Sequence, residues 1–314
     1  MEKIFLGQSI EVTPLCIGTW AWGDKLFWDY GNKYGEEELE AAFNAGLEVG
    51  VNFFDTAEVY GLGLSEKLLS KFIKKTNYSI NIATKYGPLP WRLSRESVAD
   101  ALTQSLKRLQ VDRVELYQVH WPFAFFMSQE TLMNALADEV ERGRIMTVGV
   151  SNYSADQMLE AHSLLARRGI PLAVNQVRYS LLSRQIESTG IYAKAKELGV
   201  TLLAYSPLAQ GLLTGKYSIS KVQTPTGARK IDPRFSPEGL QKIEPVVSLL
   251  KNIAQQRERT PAQVALNWLI TKGNVIPIAG AKTASQVQQN AGCLNWNLTQ
   301  EEMNQLDETS ISWL

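Results

Sequence analysis

At 314 residues, with 45% hydrophobic and 20% charged side chains, the chain can bury a large core and has ordinary globular composition. A formal net charge of +0 offers no basic field for nucleic acid or an anionic membrane surface. Two histidines, His120 and His162, and two distant cysteines, Cys16 and Cys293, cannot supply the ligands of a zinc hydrolase.

The opening Met1-Glu2-Lys3-Ile4-Phe5 lacks the charged-then-apolar pattern of a signal segment, and no apolar run is long enough to span a bilayer. A cytoplasmic protein is expected. Residues 3–13 predict a hairpin turning at Gly7-Gln8-Ser9, and residues 15–20 predict the first core strand. A helix is expected over 36–49, where Leu39, Ala42, Phe43, Gly46 and Leu47 recur at helical spacing and Gly50 can end it. The run Asn52-Phe53-Phe54-Asp55 is the second strand.

The alternation continues with a helix over 64–74, a strand ending at Lys85, a helix from Ser94 and a strand ending at His120. A helix over 129–142, the strand 145–150, a helix opened by Ser154 with Gln157 in capping-box spacing, and the strand 172–176 follow. Then come a helix over 187–198 and the strand 200–205. Residues 206–237 carry little periodicity and exceed the usual connection length, which marks them as functional or mobile. Helices about 240–256 and from Thr260-Pro261, the strand 275–278, a helix over 283–294 and a tail helix from Thr299 complete the chain. Eight strand-then-helix units without a composition break predict one domain over 1–314: a (β/α)8 TIM barrel with an N-terminal β-hairpin and extra C-terminal helices.

Barrel enzymes place catalytic groups where strands end, drawn from several strands. Here three apolar runs end on Asp55, Lys85 and His120, and Tyr60 follows in the loop after Asp55. A carboxylate at the end of a buried run calls for a cation, and Lys85 answers it. Asp55 would keep Lys85 charged, and the ammonium would lower the pKa of the Tyr60 phenol towards that of a useful acid. A neutral His120 could donate to the same carbonyl oxygen. No side chain is placed as a nucleophile, so hydride is the expected attacker and a nicotinamide cofactor its source. Its phosphates would lie on Ser206-Pro207-Leu208-Ala209-Gln210-Gly211 and Gly280-Ala281-Lys282-Thr283, the loops after strands seven and eight. Tyr205 could stack on the nicotinamide, with Asn152 and Gln176 at its carboxamide. No G-x-G-x-x-G follows a strand, which excludes a Rossmann module as the cofactor site. Trp22, Trp28, Trp91, Trp121, Phe123, Phe125 and Phe126 lie on loops expected to rim the mouth and favour an aromatic or apolar carbonyl substrate.

Over essentially its whole length the chain resembles the aldo-keto reductases. The resemblance is carried by Gly18-Thr19-Trp20, Phe54-Asp55-Thr56-Ala57 with Tyr60-Gly61, Thr84-Lys85, Tyr117-Gln118-Val119-His120-Trp121-Pro122, Val148-Gly149-Val150-Ser151-Asn152-Tyr153, Asn175-Gln176, Tyr205-Ser206-Pro207-Leu208, and Ile276-Pro277-Ile278 with Gly280. It implies NADPH-dependent reduction of aldehydes and ketones with Asp55, Tyr60, Lys85 and His120 as the catalytic tetrad. It also implies cofactor contacts at Thr19, Trp20, Asp55, Ser151, Asn152 and Gln176 and along the Ser206 and Gly280 loops. Where many members have an arginine and then a glutamate before the final asparagine, this chain has Gln286 and Gln289 before Asn290. Lys282 is then the nearest cation for a 2′-phosphate. The partner expected is a small carbonyl compound, bound by a monomer or weak homo-oligomer. The alternative is a nucleotide-binding regulatory subunit with little turnover, as in the channel-associated members.

Overall fold

The structure is a computed structural model that describes residues 3–7, 9–122, 127–218, 229 and 232–314. The chain opens on an antiparallel hairpin, β1 (Ile4–Leu6) and β2 (Ile10–Val12). Eight parallel strands then close a barrel: β3 (Cys16–Gly18), β4 (Phe53–Asp55), β5 (Asn81–Tyr86), β6 (Val114–Val119), β7 (Ile145–Ser151), β8 (Leu172–Arg178), β9 (Thr201–Tyr205) and β10 (Val275–Gly280). They neighbour one another in chain order, and β10 returns to β3. Both faces of each strand are covered, which is why the strands read as near-continuous apolar runs rather than as alternating ones.

The surrounding helices are α1 (Glu36–Glu48), α2 (Leu64–Ile73), α3 (Arg95–Leu109), α4 (Gln129–Glu141), α5 (Ala155–Ala166), α6 (Gln185–Ser188), α7 (Ile191–Leu198), α8 (Pro237–Gln256), α9 (Pro261–Thr271), α10 (Ala284–Ala291) and α11 (Gln300–Thr309). The apolar stripe of α1 faces the barrel and sets Phe43 5.0 Å from Phe54. The capping box expected from spacing forms at Ser154 with Gln157, another forms at Thr299 with Glu302, and Thr260 caps α9 with Pro261 in its first turn.

Two stretches depart from expectation. The helix expected over 187–198 is broken at Gly190, whose φ of 78° no helix tolerates, so α6 and α7 replace it. Helix α8 begins at Pro237 rather than Leu240, because Ser236 accepts from Gly239 N and proline suits the first turn. Within 206–237 the chain forms short 3-10 turns at Ala209–Thr214 and Pro233–Phe235; residues 219–228, 230 and 231 lie outside the described residues, as does Gln8 of the hairpin turn.

The hairpin closes the amino end of the barrel. Leu6, Ile10 and Val12 cluster with Cys16, Phe53, Ala83, Leu116, Val174, Leu203 and Ile276, all buried. At the other flank α11 is tied down by Arg184, which donates to the Asp307 carbonyl at 2.6 Å and Ser310 Oγ at 2.9 Å. Among the described residues no helix is long and apolar enough to cross a membrane.

Candidate active site

Asp55 is the last residue of β4, Lys85 the penultimate residue of β5, and His120 follows β6 directly. Parallel register sets Lys85 opposite Gln118 and Asp55 opposite Ala83, so Lys85 stands two residues further along its strand than the Asp55 level and reaches back to it. Lys85 Nζ donates to Asp55 Oδ2 at 2.6 Å, to the Thr56 carbonyl at 2.8 Å and to the Tyr60 hydroxyl at 3.3 Å. Its side chain is wholly buried, and burial alone would lower its pKa. Asp55, and Tyr60 after it, outweigh that and hold its pKa above the ordinary lysine value.

The other carboxylate oxygen, Asp55 Oδ1, accepts from Gln176 Nε2 at 2.8 Å and Gln118 Nε2 at 3.1 Å. Gln176 also donates to Gln118 Oε1 at 3.1 Å. Donors from β5, β6 and β8 therefore meet on one carboxylate. Nothing in the sequence singles out Gln118, although strand alternation puts it on the same face as His120. A polar residue on an inward strand face beside a functional one is the signal that finds it.

Tyr60 begins a turn that only left-handed backbone completes, with φ of 54° at Gly61 and at Leu62. The turn aims the phenol at Lys85, whose ammonium lies 4.8 Å from the ring centroid. Burial raises the Tyr60 pKa, and the opposing pull of Lys85 does not reverse it, so the phenol sits above its ordinary value. This corrects the expectation of a lowered pKa: the desolvation that isolates the pair costs the phenolate more than the ammonium returns. The His120 ring stands 5.7 Å from that of Tyr60 at 80°. Burial, with Lys85 adding to it, holds the His120 pKa down to about 3, so the imidazole is neutral at physiological pH. Its Nδ1 has no hydrogen-bond partner among the described residues.

A phenol, an ammonium and a neutral imidazole thus converge at the carboxyl end of a parallel barrel, and the Aldo/keto reductase family model matches residues 14–311. The chain belongs to the aldo/keto reductase family. It is 42% identical over 98% of its length to a chloroplastic pyridoxal reductase of Arabidopsis thaliana, of which 85% is covered. It is 32% identical to the aldo-keto reductase yakc [NADP(+)] of Schizosaccharomyces pombe, over 87% of this chain and 82% of that one. Among solved structures, a glycerol dehydrogenase of Gluconobacter oxydans superposes with a TM-score of 0.86 at 28% identity, over 99% of this chain and 96% of its own. The protein is therefore an oxidoreductase of a family that acts on carbonyl compounds with a nicotinamide cofactor.

The residues of this reductase expected at the nicotinamide lie together at the ends of β7, β8 and β9. Tyr205 OH donates to Asn152 Oδ1 at 3.0 Å, Asn152 Nδ2 donates to Ser151 Oγ at 3.1 Å, and Ser151 Oγ donates to the Gln176 carbonyl at 2.9 Å. Thr19 is buried and spends its hydroxyl on the Asp55 carbonyl and Ser65. The Ser206 loop runs through left-handed backbone at Ser206, Ala209, Gln210 and Gly211, and the Leu208 carbonyl accepts from Gly211 N. Gln210 Oε1 is buried there with no partner among the described residues, an orphaned acceptor that a dinucleotide's donors would satisfy. Across from it, Gly280 pairs with Gly18, and Gln286 Oε1 accepts from Lys282 N at 2.8 Å while Thr283 Oγ1 caps α10. The Gln286 side chain thus serves residue 282 rather than closing a box onto Thr283. Gln289 reaches Ser285 at 3.4 Å, and Asn290 is buried. This donor set, with Lys282 for a charged end, fits a dinucleotide.

The aromatic residues divide. Trp20, 40% exposed, stands 6.4 Å from Tyr60, and Trp121 lies 4.8 Å from His120, so both border the reacting end. Trp91 is 72% exposed on the outer rim. Trp22 is a correction: it is fully buried, donates to the Ala281 carbonyl at 2.9 Å and packs on Phe54 and Phe72, so it is core and cannot touch substrate. Trp28 lies towards the Lys282 end, with the ammonium 5.1 Å from its ring. Phe123, Phe125 and Phe126 lie outside the described residues.

Proposed function

We propose that the protein reduces aromatic aldehydes to alcohols with NADPH, with Tyr60 as the general acid and pyridoxal as the first candidate substrate. The observation that carries this reading is the chain of contacts from buried Asp55 through buried Lys85 to the half-buried Tyr60 hydroxyl, beside a neutral His120. When bound, the reduced nicotinamide supplies the hydride. The chain's own residues do the rest: Tyr60 and His120 donate to the carbonyl oxygen, and Tyr60 gives up its proton as negative charge builds there. A raised phenol pKa does not forbid this, because a developing alkoxide is far more basic than a phenolate. Lys85 stabilises the phenolate left behind, and Asp55 holds Lys85 charged.

Pyridoxal is supported by the name of the Arabidopsis relative, and a flat aromatic aldehyde by the indoles of Trp20 and Trp121 beside Tyr60 and His120. NADPH is supported by Lys282 and by the name of the fission-yeast relative. The test is a panel of pyridoxal, benzaldehyde, an aliphatic aldehyde and glycerol, with each reduced or oxidised nicotinamide cofactor in turn. The expected ranking puts pyridoxal and benzaldehyde with NADPH first. Activity confined to glycerol and oxidised cofactor overturns the substrate class.

Cofactor choice is tested separately. Changing Lys282→Ala should weaken NADPH binding while leaving NADH nearly unaffected, shifting the ratio of the two dissociation constants by about tenfold, as expected for one charge-assisted contact. An unchanged ratio removes Lys282 from the role.

A further inference from the structure

Trp28 sits in the connection between β3 and α1, between Trp20 and the Lys282 end of the site. One edge meets Trp20, with centroids 5.5 Å apart and planes at 86°, and Trp20 in turn stands 6.4 Å from Tyr60. Its other contacts are cations. The Lys282 ammonium lies 5.1 Å from its centroid and the Arg229 guanidinium 5.8 Å. Lys282 is also 4.8 Å from the Tyr34 ring, and Arg229 Nε donates to the Gln210 carbonyl at 3.0 Å.

Two like charges sharing one aromatic ring is an arrangement in want of an anion. No salt bridge joins Lys282 or Arg229 to a carboxylate among the described residues. Burial, with Arg229 and Lys33 nearby, holds the Lys282 pKa below its ordinary value against the pull of Asp29. The Trp28 Nε1 donor is buried without a hydrogen-bond partner among the described residues. An arriving phosphate monoester would relieve the repulsion and hold both cations against the ring, where each cation–aromatic contact strengthens as water leaves.

We propose that Trp28 is a positioning residue that links the two ends: a phosphate monoester held by Lys282 and Arg229 fixes the ring they share, and that ring fixes Trp20 beside Tyr60. This rests on the reading of Lys282 as a phosphate ligand and extends it. The phosphate read at one end then sets how well the carbonyl compound is held at the other. NADPH should give a lower KM for the aldehyde than NADH does, through Trp28.

The test uses fragments that need no turnover. On the full chain, 2′,5′-ADP should change tryptophan emission and 5′-AMP should not, and the change should be lost in Trp28→Phe and weakened in Arg229→Gln. By calorimetry, Trp28→Leu should weaken 2′,5′-ADP binding about 3- to 30-fold, while Trp28→Phe, which keeps an aromatic face, stays close to wild type. In steady state with NADPH, Trp28→Leu should raise the aldehyde KM with kcat nearly unchanged, and Trp28→Phe should restore it. Equal emission responses to both fragments, or an unaltered response in Trp28→Phe, overturn the proposal. So does a Trp28→Leu variant that binds 2′,5′-ADP normally or loses kcat rather than KM. A protein that passes the fragment tests but reduces no aldehyde instead refutes the proposed function and leaves this link standing.

Discussion

Replacing Tyr60 with phenylalanine should lower kcat for aldehyde reduction by a factor of about 10² to 10⁴, the usual contribution of a positioned proton donor. The substitution keeps the ring that packs against Trp20 and His120 and removes only the hydroxyl at 3.3 Å from Lys85. Stability and NADPH affinity should therefore stay near wild type. The pH profile supplies a second readout. An acid must carry its proton, and burial raises the Tyr60 pKa, so kcat/KM should hold up through neutral pH and fall only above the ordinary phenol value of about 10. His120 titrates near 3 and should add no limb between pH 5 and 9. Steady-state NADPH oxidation with an aromatic aldehyde measures both. A Phe variant with near-full turnover, or an alkaline limb near neutrality in wild type, refutes the assignment.

The second large effect falls on Lys85. In Lys85→Met the phenolate loses its ammonium, and turnover should drop on the order of 10²- to 10³-fold, as when one preorganised electrostatic partner is deleted. Here stability should fall too. Asp55 is left buried with amide donors from Gln118 and Gln176 but no counter-charge, and breaking a buried ion pair from one side costs about 3–5 kcal/mol. Neutralising the other partner should separate the two roles: Lys85→Met with Asp55→Asn should regain most of the lost stability in urea unfolding while remaining inactive. Recovery of turnover in the double variant, or full turnover in Lys85→Met, excludes the chain from Asp55 to Tyr60 as the acid's support. The raised lysine pKa also argues against Lys85 as a Schiff-base nucleophile, which requires the free amine.

Much of this was legible in the residues, for reasons that explain the failures. Asp55, Lys85 and His120 stand out because a parallel strand is apolar throughout, so a charged or polar residue at its end is conspicuous. Gln118 was hidden within its run: one polar residue inside a strand reads as noise until the barrel shows that it shares a carboxylate with Gln176. Trp22 misled because residue type says nothing about whether a loop side chain turns up to the mouth or down against Phe54 and Phe72. The Tyr60 pKa departs from expectation because the sequence displays the neighbouring charge but not the desolvation that opposes it. Gly190 could break a helix or merely weaken one, and only its backbone conformation decides.

The hairpin at the amino end gives the barrel a cork. With Leu6, Ile10 and Val12 packed beneath the strands, the filled interior is covered at that end, and Asp55, Tyr60, Lys85 and His120 gather at the other. The two ends of the barrel therefore divide the labour: one holds the strands together, and the other carries the polar side chains. Substitutions at Leu6, Ile10 or Val12 should register in how long the barrel stays folded, and Tyr60→Phe in turnover alone.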